Sequence, residues 1–195
     1  MKRLRYLFVC LFILFCLSDV VPLRAASGFY YKQLGVEQGL SQSRVQCLLY
    51  DYKGYLWIGT QYGLNCYDRD ELKNYFHEPA NEQSLTSNDI VFIVEDSLKN
   101  LWVGTREDGL CLFDRTHSCF KRIMYEGNPL QATSCLLVEG GILFGGIGDI
   151  YKYAYSGKSF TKLPLKGEDR TFSYYTHLIR FDEKTILANT RWYGI

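Results

Sequence analysis

Residues 56–68 read LWIGTQYGLNCYD, and residues 101–114 read LWVGTREDGLCLFD. Their tryptophans, Trp57 and Trp102, stand 45 positions apart. The similarity begins upstream, since LSQSRVQCLLYDYKGYLWIGT at 40–60 aligns with LTSNDIVFIVEDSLKNLWVGT at 85–105 at the same offset. Repetition at a fixed period predicts a repeat architecture, in which each unit needs a neighbour to bury its apolar faces.

Two weaker copies follow downstream. The stretch ILFGGIGDIYKY at 142–153 places Leu143 41 positions after Trp102, and ILANTRWYGI at 186–195 places Leu187 44 positions after Leu143. Each unit holds short runs of aromatic and β-branched residues between turn residues, a pattern that indicates four strands. Four antiparallel strands in 41 to 45 residues are typical of one propeller blade. The sequence therefore predicts an all-β fold, a partial β-propeller of about three and a half four-stranded blades.

The repeated letters indicate packing before chemistry. We expect Trp57 and Trp102 to fill the space between blades, because an indole is the largest apolar side chain available. The glycines that follow, Gly59 and Gly104, are expected to let two backbones approach closely. A role for either tryptophan in stacking on a sugar is the weaker alternative.

Turn residues separate the runs. Asp51 to Gly54 fits a type I turn, in which the aspartate accepts hydrogen bonds from its own backbone and the glycine supplies a positive φ. The second copy has Lys99 in place of Gly54, so we expect a differently arranged turn there. Thr60 and Thr105 are expected to hydrogen-bond the next turn.

The N-terminal segment indicates export. MKRLR is a basic start, and YLFVCLFILFCL at 6–17 is an apolar run followed by small residues, which together predict a signal peptide over 1–26. A retained membrane anchor is the alternative, although 12 apolar residues are short for a span. Residues 27–39 form a lead-in, whose FYYK at 29–32 is either a strand or a disordered tail. Blades are predicted at about 40–83, 84–128, 129–168 and 169–195, the last one truncated.

Composition excludes several function classes. The net charge is +1 and no basic run follows the first five residues, so no nucleic-acid contact is expected. Five of the seven cysteines lie beyond the predicted signal peptide, in no CxxC spacing, which argues against a disulfide framework or a zinc site. We expect Cys47, Cys66 and Cys111 to be small apolar strand residues. No catalytic, cofactor-binding or metal-ligating set is predicted.

A ligand could bind the loops between the second and third strands of each blade. These loops differ between copies while the strands around them repeat, and binding residues are commonly found on loops that a rigid scaffold positions. Aromatic side chains there offer flat faces for sugar rings, and charged ones offer hydrogen bonds. The alternative is that they are polar only because they are exposed. The candidate ligand-binding residues are Tyr62, Arg106, Glu107, Asp108, Arg191, Trp192 and Tyr193.

The order D-x-x-G-x-L-W-I-G-T-x-x-G-L-x-x-[YF]-D, with G-L-S-x-x-x-V before it, resembles the two-component regulator propeller repeat. Gly39 to Val45 with Asp51 to Asp68 carry one copy, and Ser84 to Ile90 with Asp96 to Asp114 carry another. Residues 29–45, FYYKQLGVEQGLSQSRV, resemble the start of the sensor region of bacterial hybrid two-component systems.

That resemblance implies a periplasmic, ligand-sensing part of an inner-membrane sensor histidine kinase, which functions as a homodimer and responds to oligosaccharides. Its partners would be an oligosaccharide and the remainder of the propeller and sensor. No kinase motif and no second membrane segment occur in the 195 residues, so we expect a non-catalytic N-terminal piece. The alternatives are a secreted propeller enzyme that degrades polysaccharides and a stand-alone interaction propeller.

Overall fold

The computed structural model describes residues 31–164 and 175–190. The chain divides into two compact units, residues 1–33 and 34–195. The predicted signal peptide at 1–26 lies outside the described residues, as do Arg191, Trp192 and Tyr193. Residues 31–35 of the lead-in have no regular secondary structure, and a short 3-10 helix, Val36–Gln38, follows them.

The second unit contains three four-stranded antiparallel sheets, in each of which chain neighbours are sheet neighbours. Blade 1 consists of β1 (Val45–Tyr50), β2 (Leu56–Thr60), β3 (Gly63–Tyr67) and β4 (Leu72–Tyr75). Blade 2 consists of β5 (Ile90–Glu95), β6 (Leu101–Thr105), β7 (Leu110–Asp114) and β8 (Cys119–Arg122). A small hairpin of β9 (Met124–Tyr125) and β10 (Asn128–Pro129) comes next.

Blade 3 consists of β11 (Ser134–Val138), β12 (Gly141–Gly145), β13 (Ile150–Ala154) and β14 (Ser159–Lys162). A two-stranded sheet, β15 (Tyr175–Arg180) with β16 (Ile186–Thr190), ends the described chain. This arrangement confirms the prediction of an all-β partial propeller with about three and a half blades. None of the described residues lies in a helix long and apolar enough to cross a membrane.

The core lies between blades, as the repeat predicts. Trp57 of blade 1 is almost completely buried and meets Phe113 of blade 2, with ring centroids 4.9 Å apart. Trp102 of blade 2 is equally buried and meets Tyr153 of blade 3 at 4.8 Å. Each tryptophan therefore packs on the following blade, where removing an indole typically costs about 3–5 kcal/mol of stability.

The two repeated glycines make room for side chains, so the expectation of close backbone approach is wrong. A Cβ on Gly59 would lie 2.7 Å from Cγ2 of Ile90 and would also overlap the Cys47 thiol. A Cβ on Gly104 would overlap the ring of Phe92. The space is taken because the neighbouring strands β1 and β5 point bulky side chains across these positions.

The turn between the first two strands is the same in blades 1 and 2. Asp51 Oδ1 accepts hydrogen bonds from the backbone N–H of Lys53 and of Tyr55, and Gly54 has a φ of 84°. Asp96 Oδ1 holds its turn in the same way, and Lys99 has a φ of 68°. The expectation of a different turn at Lys99 is therefore wrong. The aspartate hydrogen bonds compensate for a left-handed conformation that costs a non-glycine residue roughly 1–2 kcal/mol.

The other oxygen of each aspartate carries the link to the tryptophan. Asp51 Oδ2 accepts a hydrogen bond from Trp57 Nε1 at 2.9 Å, and Asp96 Oδ2 accepts one from Trp102 Nε1 at 3.0 Å. A buried indole N–H needs such an acceptor. The six-residue spacing between aspartate and tryptophan in both copies therefore records one structural unit.

The strand cysteines behave as apolar residues. Cys47, Cys66 and Cys111 are free thiols, and all three contribute to the core between blades 1 and 2. Burial raises the pKa of Cys47 to about 12 and that of Cys66 to about 11, and it also raises the pKa of Cys111. Such thiols stay protonated at neutral pH, which confirms the prediction of a packing role.

Candidate functional site

One end of the blades gathers the loops that differ between copies. Because the strands alternate in direction, the β2–β3 turn, the β6–β7 turn and the connections between blades all lie at this end, which we call the upper face. Thr60 Oγ1 donates to the Gly63 carbonyl at 2.9 Å, and Thr105 Oγ1 donates to the Gly109 carbonyl at 2.8 Å. These bonds confirm the role expected of the threonines and fix the positions of the two turns.

Tyr62 lies on the upper face of blade 1. Its side chain is exposed, and its ring is tilted against Phe76 with centroids 5.9 Å apart. It therefore presents an aromatic surface to solvent. Tyr62 does not line the cavity that Glu107 and Asp108 line.

Arg106 joins blades 1 and 2. Its Nε donates to Asp89 Oδ2 at 2.7 Å and its Nη2 donates to Gln46 Oε1 at 2.9 Å. Gln46 Nε2 in turn donates to Asp89 Oδ1 at 2.5 Å, which closes a three-residue network. Arg106 thus has a structural partner that the sequence did not reveal, although exposed ion pairs of this kind contribute only about 0–1 kcal/mol.

Glu107 and Asp108 line a cavity of about 340 Å³. This volume is at the lower end of the range of roughly 300–1,000 Å³ found for small-molecule sites. A second cavity of about 630 Å³ adjoins it and shares Arg122, Met124 and Pro129 in its lining. The smaller cavity is also lined by His77, Thr86 and Gln131.

Most polar atoms around the smaller cavity are hydrogen-bond acceptors. His77 Nδ1 lies 2.7 Å from the Leu85 carbonyl, which can only accept, so Nδ1 is the donor and Nε2 of the neutral ring is left as an acceptor. Gln131 Nε2 donates to the Glu107 carbonyl at 2.9 Å, which leaves the Gln131 amide oxygen as an acceptor. The carboxylates of Glu107 and Asp108 form no ion pair with any described residue.

Arg122 supplies the donor at the boundary between the two cavities. Its Nη2 donates to the Asn81 carbonyl at 3.0 Å and to Ser84 Oγ at 3.3 Å. Its Nε is buried and has no hydrogen-bond partner among the described residues. An unsatisfied buried N–H costs about 1–3 kcal/mol, which the other hydrogen bonds and the packing of Arg122 must outweigh.

The β9–β10 hairpin supplies the apolar wall formed by Met124 and Pro129. Glu126 has a φ of 50° and Gly127 a φ of 81°, so both central residues of the hairpin turn have the positive φ of a type I′ turn. This hairpin and the lining residues His77, Arg122 and Gln131 were not predicted from the sequence. Only Glu126–Gly127, a residue pair ending in glycine, hinted at the turn.

The match to a family model follows the two clear copies. Residues 39–62 and 84–107 each match the model of the two component regulator propeller. The chain carries two copies of this repeat. The matched segments include both Asp–Trp units and end at the upper face, the second of them at Glu107. No curated protein sequence matches the chain.

Solved structures share the fold. The extracellular domain assigned to a one-component system of B. thetaiotaomicron is 19% identical, with a TM-score of 0.62 over 84% of this chain. PorZ, a surface component of the type-IX secretion system of Porphyromonas gingivalis, is 14% identical, with a TM-score of 0.57 over 82% of this chain. The chain spans 21% of the length of the first protein and 27% of that of the second. At these identities the likeness concerns the fold alone.

Proposed function

We propose that this chain is the extracytoplasmic, ligand-sensing propeller portion of a hybrid two-component sensor histidine kinase, exported to the periplasm, and that it binds an oligosaccharide without catalysing a reaction. The observation that carries the proposal is an acceptor-lined cavity on the upper face of a two-component regulator propeller repeat. The solved extracellular domain with the same fold supports it at the level of architecture.

The lining chemistry favours a ligand rich in hydroxyl groups. Glu107, Asp108, His77 Nε2 and the Gln131 amide oxygen offer acceptors, and each sugar hydroxyl brings a donor. The Arg122 guanidinium lines the cavity and can donate to a ring or hydroxyl oxygen, and Met124 with Pro129 offers apolar surface to the C–H face of a sugar. The two carboxylates outnumber the one arginine of the lining, Arg122, so the cavity repels uronates and sulfated sugars. A neutral oligosaccharide therefore fits better than an acidic one.

The test is titration calorimetry of the expressed protein against panels of neutral and acidic oligosaccharides. We expect binding of at least one neutral oligosaccharide, weakened about tenfold or more by Glu107→Gln with Asp108→Asn, since each lost hydrogen bond to a charged group is worth roughly 1.5–3 kcal/mol. The matched control is Glu71→Gln, which changes an exposed carboxylate in the β3–β4 turn at the opposite end of blade 1.

Two results would count against the proposal. If the double substitution and the control change the affinity equally, the oligosaccharide does not bind in this cavity. Failure of every oligosaccharide in both panels to bind would remove the oligosaccharide as the ligand.

A further inference from the structure

Arg115 binds blade 2 to blade 1 at the end opposite the upper face. Its Nη1 donates to Asp51 Oδ2 of blade 1 at 2.6 Å, and its Nη2 donates to Glu95 Oε2 of its own blade at 3.1 Å. Its guanidinium carbon lies 5.0 Å from the centre of the Tyr52 ring. Arg115 thus forms an ion pair with the aspartate turn of the preceding blade. The Asp51 carboxylate in this pair is completely buried.

Arg69 is the sequence counterpart of Arg115 in blade 1, although its backbone has a φ of 90° and its turn is shorter, since Tyr67 pairs with Leu72 whereas Phe113 pairs with Phe120. Counting from Gly63 of β3 and Gly109 of β7, Asp68–Arg69 aligns with Asp114–Arg115. The turns also share their hydrogen bonds: the aspartate Oδ1 accepts from the two backbone N–H groups that lie two and three residues further on, in both blades.

One contact of Arg69 within its own blade matches a contact of Arg115. Arg69 Nη2 donates to the Tyr50 hydroxyl at 3.2 Å, and Tyr50 is the counterpart of Glu95, the partner of Arg115. Arg69 lacks a bond to a preceding blade, because it forms no ion pair with a described carboxylate.

The sheet face beside Arg69 is also unpacked. Leu48 of β1 is 61% exposed, whereas its counterpart Ile93 of β5, which packs between blades 1 and 2, is 8% exposed. Tyr50, on the same strand, is likewise exposed. Leu48 therefore lacks the packing, and Arg69 lacks the ion pair, that blade 1 provides for their counterparts in blade 2.

We propose that this face of blade 1 binds a further blade of the same repeat, and that Arg69 selects a blade whose turn between its first two strands carries an aspartate at the position of Asp51. The pairing of blades 2 and 3 lacks this arginine. There Tyr155 stands at the position of Arg115, and Asp96 Oδ2 accepts instead from Asn100 Nδ2 at 2.8 Å. Because Asn100 already donates to the Asp96 carboxylate, this blade does not require an arginine from the following blade as a donor.

The test adds a second copy of residues 40–84 directly before Leu40 of the full chain, so that Asp51 of the added copy faces Arg69. A double-mutant cycle then combines Asp51→Asn in the added copy with Arg69→Gln, followed by urea unfolding. We expect a coupling of about tenfold in the unfolding equilibrium constant, as for a charge-assisted hydrogen bond. The same cycle on Asp51 and Arg115 of the unaltered chain is the matched reference, and Arg69→Gln alone should leave that chain nearly unchanged.

Either of two outcomes overturns the proposal. The added copy can unfold separately, with a midpoint that Arg69→Gln does not move, which shows that the face does not hold it. It can also unfold together with the rest while the cycle gives no coupling, which shows that Arg69 does not recognise the aspartate.

Discussion

Replacing Asp51 with asparagine is the most informative change to the packing of blades 1 and 2. The carboxylate is fully buried and accepts four hydrogen bonds, two from turn amides through Oδ1 and two through Oδ2, from Trp57 Nε1 and Arg115 Nη1. An asparagine that keeps its oxygen on the turn amides must point its NH₂ group at two other donors. The loss of a charge-assisted bond and the unsatisfied indole N–H together predict a cost of about 3 kcal/mol, within the range for breaking a buried charged pair.

Asp96→Asn is the matched comparison. Asp96 holds an equivalent turn and the Trp102 indole, but its additional donor is the side-chain amide of Asn100. An amide can rotate to present its oxygen to the new NH₂ group, whereas a guanidinium has no acceptor. We expect a cost of about 1.5 kcal/mol, half that of Asp51→Asn.

The assay is urea unfolding followed by tryptophan fluorescence, with the denaturant slope checked for constancy so that midpoint shifts report stability. Equal costs for the two substitutions, or a cost below about 0.5 kcal/mol for Asp51→Asn, as at an ordinary surface site, would refute the assignment of Arg115 as the link between blades.

Three further predictions concern Asp51, Gly104 and Cys47. Burial alone would raise the pKa of Asp51, but the indole, guanidinium and turn donors hold it below its ordinary value. The contribution of Asp51 to stability is therefore present above about pH 4 and is lost as the pH falls through the pKa of the folded state. Asp51→Asn should remove this loss of stability in acid, as urea unfolding at a series of pH values would show. Gly104→Ala should cost about 1–3 kcal/mol because its Cβ meets the Phe92 ring, and Phe92→Leu should recover part of the loss in thermal unfolding; no recovery would locate the strain elsewhere. Burial raises the pKa of Cys47 to about 12, so iodoacetamide at pH 8 should alkylate it only after unfolding, as peptide mapping would show, and rapid labelling of the folded protein would contradict its packing role.

The blade architecture was predictable because its cause is local and repeated. A blade buries its faces only against neighbours, so each copy requires a large apolar side chain at the same place. Trp57 and Trp102 are those side chains in the two clear copies, and both are buried. Copies without the tryptophan were still recognisable from their spacing, and Leu143 is buried at the same strand position.

The candidate site was predictable only in part. Glu107 and Asp108 were identified because they interrupt a repeat, and both line a cavity. Arg106 stands beside them in the chain but bonds to Asp89 and Gln46, which are 17 and 60 residues away. His77 and Arg122 gave no signal, since His77 lies in the connection between blades 1 and 2 and Arg122 lies 45 residues later, at the end of β8.

The repeat, the strand class and the turn at Asp51 could be predicted from the residues alone, because they depend on periodicity and on hydrogen bonds between residues close in the chain. Which blade each side chain contacts depends on how the blades pack together. Asp51 belongs by sequence to one turn, yet its buried charge is satisfied by Arg115, 64 residues later. The packing also explains why Gly59 and Gly104 make room for side chains, because the side chains that fill this space come from other strands. Burial and charge pairing are properties of the assembled blades, and no local pattern of residues records them.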